Sequence, residues 1–201
     1  VGKPGIDEGS IKIMSYDSAK NSFGAPKTLV QSSGENNYYP TYSPDNELIV
    51  FNRSNGSSYD APDAALYAIR ANGKGQVLEL KNANGGTNLC NSWPKFSPFL
   101  QKYKGSQIMW LTFSSRRDYG LRLQKGSAEK GRAQLWMAAI ELGKDEMGTD
   151  PSYPAFWLPF QDIKTGNHIA QWTKEVVRKK CGVDGDCPPG QVCVNGWCDP
   201  K

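Results

Sequence analysis

A repeated aromatic-proline motif is the sequence feature that most restricts how this chain can fold. The motif occurs three times, as Y-P-T-Y-S-P from Tyr39 to Pro44, W-P-K-F-S-P from Trp93 to Pro98 and Y-P-A-F-W-L-P from Tyr153 to Pro159. The copies begin 54 and 60 residues apart. Self-similarity at such a period is the signature of an architecture made from copies of one supersecondary unit.

The segments that follow each motif have the pattern of β-strands. A turn and an apolar strand come next, as E-L-I-V-F-N-R-S from Glu47, Q-I-M-W-L-T-F-S-S-R from Gln107 and N-H-I-A-Q-W-T from Asn167. Two copies continue into a further strand, A-L-Y-A-I-R-A from Ala65 and Q-L-W-M-A-A-I from Gln134. The repeating unit is therefore predicted to be strand, turn, buried strand, loop, strand.

Both ends of the repeat region fall inside a unit. Ser10–Asp17 resembles the third strand of the unit and Pro26–Val30 a fourth, with no first or second strand ahead of them. The unit opened by Tyr153 runs into a charged linker at Lys174–Lys180. We predict a half blade, two full blades and a half blade in residues 1–173, a linker at 174–180 and a separate module at 181–201.

The predicted fold class is all-β, with blades of four-stranded antiparallel sheets forming part of a β-propeller. The chain has 21 Gly and 13 Pro among 201 residues and lacks a sustained helical pattern, which favours short strands joined by turns. A small meander cannot bury both faces alone, and radial packing of blades covers them. About three blades do not close a ring, so we expect additional blades from an N-terminal portion or another chain.

The blade signature resembles the WD-type repeats of TolB-like β-propellers. It consists of the aromatic-Ser-Pro motif, a buried strand ending in a pattern such as F-x-S-x-R, and a strand such as L-Y-A-I. The stretches W-L-T-F-S-S-R-R-D-Y-G and P-A-F-W-L-P-F-Q-D are similar to the last blades of large exported propeller proteins in myxobacteria and their relatives. The resemblance implies a propeller fold and leaves the function open, since this fold hosts many unrelated roles.

The cysteines indicate a disulfide-stapled C-terminal module. Cys181, Cys187, Cys193 and Cys198 lie close together, without C-x-x-C pairs or neighbouring histidines, which fits disulfides better than a zinc site. Three pairings are possible, and we favour Cys181 with Cys193 and Cys187 with Cys198. The remaining Cys90 is interpreted as a buried free thiol, with a partner outside this chain as the alternative.

Charge and hydropathy limit the partners and the location. The net charge is +4, with scattered Lys and Arg, so no nucleic-acid partner is expected. No run of 18 apolar residues occurs, so no membrane span is expected. Disulfides form in oxidising compartments, so we predict an exported protein of the periplasm, the outer-membrane surface or the extracellular space.

Several side chains have predicted structural roles. Ser43-Pro44 and Ser97-Pro98 are expected to close the turn after the first strand. The aromatic side chains of three motif copies are expected to pack between blades; they are Tyr42, Phe96 and Phe156. Arg53 and Arg116 are predicted to tie the end of the second strand to a neighbouring loop.

One loop is a candidate contact surface. Arg116, Arg117, Asp118 and Tyr119 follow the second strand of the second full repeat, on a loop of the kind where propellers usually bind partners. Asp184 and Asp186 lie beside a cysteine, and we interpret them as turn formers in preference to calcium ligands.

The sequence favours a binding or scaffolding module over an enzyme. It contains one histidine, His168, and no nucleophile-elbow motif or metal-ligand cluster, so no catalytic residue, cofactor or metal is predicted. The favoured partner is a protein, peptide or glycan at a propeller face. The alternatives are a propeller glycosidase or lyase whose active-site residues lie in other blades, and a structural subunit that assembles through its half blades.

Overall fold

The computed structural model describes residues 5–118, 132–145, 148–173 and 179–200. Antiparallel β-strands are the main regular structure of this part of the chain, which also contains one short α-helix, α1 (Lys81–Asn84), and a 3-10 helix at Asp184–Asp186. The strands are β1 (Ile11–Ile13), β2 (Tyr16–Asp17), β3 (Ser22–Phe23), β4 (Lys27–Val30), β5 (Asn36–Tyr42), β6 (Leu48–Ser54), β7 (Ala65–Arg70), β8 (Leu78–Glu79), β9 (Ser92–Tyr103), β10 (Ser106–Ser115), β11 (Gln134–Glu141), β12 (Phe156–Trp157), β13 (Gln191–Val194) and β14 (Trp197–Pro200).

The first full repeat folds into a four-stranded sheet in the order β5-β6-β7-β8, which we call the first meander. Its first turn has the predicted form. The backbone N–H of Ser43 donates to the Leu48 carbonyl at 2.8 Å, and the Leu48 N–H donates to Ser43 Oγ at 2.9 Å. Asn46 adopts a φ of 63°, a left-handed conformation that Asn tolerates better than most residues.

The second full repeat folds into a sheet in the order β12-β11-β10-β9, the second meander. Here the predicted turn at Ser97-Pro98 is wrong, because β9 continues to Tyr103 and the chain reverses at Lys104-Gly105. Both turn residues have positive φ, 47° and 86°, as a tight hairpin requires. Phe99 and Leu100 follow Pro98 where Asp45 and Asn46 follow Pro44, and apolar residues do not supply the side-chain acceptors that hold a turn.

The N-terminal half repeat forms a two-stranded sheet of β1 and β4, which we call the N-terminal pair. This pairing confirms strands within the predicted segments Ser10–Asp17 and Pro26–Val30, except that Tyr16–Asp17 lies in β2. A small hairpin of β2 and β3 lies between them in the sequence.

The two meanders and the N-terminal pair pack in layers through two apolar clusters. The larger cluster joins the facing sides of the two meanders; its members include Val50, Leu66, Met109, Leu111, Phe113 and Ile140, each fully or almost fully buried. The smaller cluster joins the N-terminal pair, through Ile11 and Val30, to Ile49, Phe51 and Ile69 of the first meander. The first meander is therefore covered on both faces.

The predicted half blade beginning at Tyr153 is wrong in its strand assignment. Phe156–Trp157 pairs with β11, opposite Met137 and Trp136, and so forms the fourth strand of the second meander. Asn167–Thr173, predicted as a second strand, is not in a β-ladder. The open edge of β11 explains this result, because its backbone groups need partners and the chain returning after Glu141 supplies them.

The sheets confirm a fold dominated by antiparallel β-structure with two C-terminal disulfides, and the described residues do not close into a ring. None of the helical segments in the described ranges is long and apolar enough to cross a membrane.

Candidate functional site

An arginine lies over an aromatic ring at one end of each meander. In the first meander the guanidinium of Arg53 lies 4.7 Å from the Tyr67 ring centre, and its Nε donates to Asn37 Oδ1 at 2.8 Å. In the second meander the guanidinium of Arg117 lies 4.9 Å from the Trp136 ring centre, and its Nη2 donates to Asn91 Oδ1 at 2.7 Å. We call these two groups the arginine clamps.

The clamp of the second meander also joins it to the first. Nη2 of Arg117 donates to the carbonyls of Ala83 and Asn84, at 2.9 and 2.8 Å, just where α1 ends. Asn91 Nδ2 donates to the Asn84 carbonyl at 3.1 Å, which closes a buried network. Burial lowers the pKa of Arg117 to about 10, so the side chain remains charged at neutral pH.

The structure separates the residues of the predicted contact loop. Arg117 is committed to the interface between the meanders and is not available to an external partner. Arg116 pairs with Asp60 on the loop between β6 and β7, at 2.9 Å, which is the tethering role predicted for it. Asp118 is exposed, and Tyr119 lies outside the described residues.

The first strands of the two meanders lie side by side and form a second candidate surface. Tyr39 and Trp93, at equivalent motif positions, stack with ring centres 3.8 Å apart and planes 16° apart. Both residues have left-handed backbone, with φ of 50° and 59°. Bulky residues rarely adopt this conformation, which costs on the order of 1 kcal/mol or more and is concentrated at functional sites.

The polar surroundings of the stacked pair position it. The Trp93 backbone N–H donates to Asn52 Oδ1 at 3.1 Å, and Asn52 Nδ2 donates to the Asn91 carbonyl at 2.7 Å. Tyr39 and Trp93 are half-buried, while Lys95 beside them is exposed. The arrangement holds a flat aromatic surface and a cationic group along the edge formed by β5 and β9.

A third surface is an apolar groove on the side of the second meander that faces away from the first meander. It measures about 190 Å³ and is lined by Tyr103, Ile108, Trp110, Ala139 and Tyr153. Polar groups surround it, since Trp110 Nε1 donates to Gln101 Oε1 at 2.8 Å and the Tyr153 hydroxyl donates to Glu141. Its apolar lining and polar border make the groove a candidate interaction surface.

The C-terminal cysteines form the two disulfides that we favoured, Cys181 with Cys193 and Cys187 with Cys198. The sulfurs of Cys181, Cys187 and Cys198 lie within 4.8 Å of one another, but a disulfide sulfur has no thiolate to offer a metal. Cys90 is a buried free thiol, and burial raises its pKa. It is therefore protonated and weakly reactive at neutral pH.

The two aspartates of the cysteine-rich module hold its backbone. Asp186 accepts hydrogen bonds from the N–H groups of Gly182 and Val183, and these bonds lower the pKa of its carboxyl group. Asp184 Oδ1 accepts from the Cys193 N–H at 2.8 Å. These bonds fit the predicted turn-forming role.

The feature that sequence reasoning missed is an asparagine five residues before the aromatic residue of each first-strand segment, Tyr42, Phe96 and Trp172. The N–H groups of Asn37, Asn91 and Asn167 donate to the carbonyls of Gly9, Ala64 and Ala133 at 3.0, 2.9 and 2.8 Å. Each acceptor lies just before a third strand, β1, β7 or β11. The available signal was N-x-x-[PA]-x-[YFW]-[ST], which Asn167–Thr173 satisfies and the segment beginning at Tyr153 does not.

Comparison of the chain with protein-family models, curated proteins and solved structures finds no match in any of the three.

Proposed function

We propose that this chain is part of a TolB-like β-propeller of an exported bacterial protein, which binds a protein, peptide or glycan without catalysing a reaction. The stacked Tyr39–Trp93 pair carries the proposal, because two successive repeats place a strained aromatic residue at the same point of their first strands. In a propeller the first strands of the blades surround the central channel. The pair would then stand on the channel wall.

The chemistry of this edge suits a planar or extended ligand. Trp93 offers a large, rigid and partly exposed ring, and Lys95 adds a positive charge beside it. Aromatic residues of this kind provide contact area at small entropic cost, and they concentrate the binding energy of many interfaces. Two disulfides in the C-terminal module are compatible with export.

The proposal is tested by screening the purified chain against arrays of peptides and of glycans, then measuring the affinity for each hit by titration calorimetry. We expect Trp93→Ala to weaken binding at least tenfold and Trp93→Phe to restore part of it. Trp197→Ala, which alters an aromatic residue of the cysteine-rich module, is the matched control and should leave the affinity unchanged.

Two results would contradict this function. Release of a cleaved product from any array hit would show a catalytic protein. Equal affinity in the Trp93→Ala variant and the unmodified chain, with both folded by circular dichroism, would place binding away from the first-strand edge.

A further inference from the structure

We propose that the outward face of the second meander, which carries the apolar groove, docks another meander of the same repeat, supplied by polypeptide other than a copy of these 201 residues. This inference rests on the propeller part of the proposed function and adds which face is used and what covers it. It is independent of the ligand-binding edge at Tyr39 and Trp93.

A segment that is hydrogen-bonded like the start of a first strand, residues 167–173, already lies on this face. The bond from the Asn167 N–H to the Ala133 carbonyl repeats the bonds that begin β5 and β9, from Asn37 to Gly9 and from Asn91 to Ala64. Asn167 therefore stands at the point where a first strand of the next unit begins.

An aromatic residue follows each of these asparagines by five positions. Tyr42, Phe96 and Trp172 follow Asn37, Asn91 and Asn167 by the same spacing. The Trp172 indole N–H donates to Thr112 Oγ1 at 3.1 Å, on the outward face of β10. Residues 167–173 thus cross the second meander at the place where β9 crosses the first.

The face of the first meander that packs on the second meander corresponds to the outward face of the second meander. The ladders pair Phe51 with Tyr67 and Phe113 with Trp136, so Phe51 corresponds to Phe113. Counting back along the strands, Leu48 corresponds to Trp110. Leu48 is 4% exposed beneath the second meander, whereas Trp110 lines an open groove. The corresponding surface on the first meander is thus covered by a four-stranded sheet.

The side chains that the partner should present can be inferred from the two places in this chain where a meander packs on the sheet before it. The second meander presents Leu111, Phe113 and Trp136 to the first, and the first meander presents Phe51 and Tyr67 to the N-terminal pair. The occupant should carry a Phe on its second strand and an aromatic residue opposite it on its third.

Within the described residues, a second copy of this chain offers no free face with this aromatic pattern. The apolar faces of both meanders described above are already buried. The free side of the N-terminal pair presents Lys12 and Thr28, which are exposed and polar. Placing a lysine over an apolar groove would desolvate its charge without a partner.

Site-specific photocrosslinking in cells that make the protein tests this inference. Trp110 is replaced by p-benzoylphenylalanine, the cells are irradiated, and the crosslinked peptide is sequenced by mass spectrometry. We expect a peptide with an aromatic-Ser-Pro motif or its following F-x-S strand that is not part of residues 1–201. The matched control places the same group at Phe160, which is 97% exposed and lies away from the groove, and should not give this product.

The purified chain provides the second measurement. We expect a monomer of about 22.2 kDa by light scattering, unchanged in the Trp110→Glu variant. A dimer that Trp110→Glu dissociates would overturn the proposal, because a second copy would then occupy the face. A crosslink to a protein without the repeat, or none from Trp110, would overturn it as well. Ligand binding at Trp93 would persist under each of these outcomes, so a failure of this proposal is distinguishable from a failure of the proposed function.

Discussion

The two meanders come from one repeat, yet they differ in how much of each is covered. The first meander lies between the N-terminal pair and the second meander, while the second is covered by a sheet on one face only. Equivalent aromatic residues show the effect, since Phe96 is 8% exposed and Tyr42 is 46% exposed. Phe96 packs against a complete meander, whereas the N-terminal pair lacks the strands that would cover Tyr42.

The two meanders also keep the same kinds of side-chain contact although their strands differ in length. Both meanders keep an arginine clamp and a left-handed aromatic residue, although their first hairpins end at different points. The clamps are buried to different degrees, because Arg117 reaches two carbonyls across the interface, whereas Arg53 pairs with the partly exposed Glu35. The two clamps should therefore differ in how much they stabilise the fold.

The largest difference is expected from the core phenylalanines. Phe113→Ala should destabilise the chain by about 4 to 5 kcal/mol and Phe51→Ala by about 3 kcal/mol, since both residues are fully buried. Phe51→Ala should cost less, because the two-stranded N-terminal pair can move into the cavity that this substitution leaves more easily than a four-stranded sheet could. Urea unfolding measures both values, and a larger cost for Phe51→Ala would reverse the comparison.

The arginine clamps should differ next. Arg117→Met leaves three buried acceptors without this donor and should cost about 2 to 3 kcal/mol. Arg53→Met should cost about 1 kcal/mol, because its ion-pair partner Glu35 is partly exposed and a single buried acceptor, Asn37 Oδ1, loses this donor. Arg117→Lys should recover little, since an ammonium group cannot reproduce the planar donor array. Thermal unfolding of the three variants tests this, and equal losses for Arg53→Met and Arg117→Met would contradict it.

The pH effect of a buried tyrosine hydroxyl should be confined to the first meander. Burial raises the pKa of Tyr38 to about 12, while its counterpart in the second meander, Ser92, does not titrate in this range. The unfolded phenol loses its proton near pH 10, so stability falls as the pH rises from about 10 to 12, by about 2 kcal/mol in all. Tyr38→Phe should remove this part of the decline.

The difference in unfolding free energy between the unmodified chain and Tyr38→Phe, measured from pH 8 to 12, isolates this effect. The contributions of Cys90 and Arg117 are common to both proteins and cancel in the difference. A difference that does not change with pH would show that Tyr38 titrates normally in the folded chain.

The smallest effects concern the asparagine series. Asn91→Ala should cost about 1.5 kcal/mol, because Asn91 is 1% exposed and accepts from Arg117. Asn167→Ala should cost less than about 0.5 kcal/mol, since its side chain is partly exposed and the backbone bond to Ala133 remains. Denaturant titration measures the free energy of unfolding of both variants. A larger decrease for Asn167→Ala would mean that residues 167–173 are packed more tightly against the second meander than a single first strand would be.

Much of the fold could be predicted from the sequence. The first three strands of each meander and the N-terminal pair follow from local signals such as apolar alternation. Cysteine spacing indicated a disulfide module but left three pairings possible, of which the favoured one is present. The fourth strand of the second meander was misassigned because Y-P-A-F imitates the motif. What distinguishes it is hydrogen bonding to β11, a long-range property that spacing does not encode.

The candidate site was harder to predict. Arg116 and Arg117 are adjacent, and no local pattern shows that the second enters the interface while the first pairs with Asp60. The stacking of Tyr39 on Trp93 depends on how two repeats pack, as does the groove beside Trp110. Sequence identifies the residue types available, and the packing of the sheets decides which of them meet.

The central claim is that Asn37, Asn91 and Asn167 begin three equivalent first strands. Scalar couplings across hydrogen bonds, measured by NMR on the isotopically labelled chain, test it directly. We predict couplings from the three amide nitrogens to the carbonyl carbons of Gly9, Ala64 and Ala133. Couplings for the first two only, with the Asn167 amide exchanging as fast as an unprotected one, would contradict the third first strand and the docking face built on it.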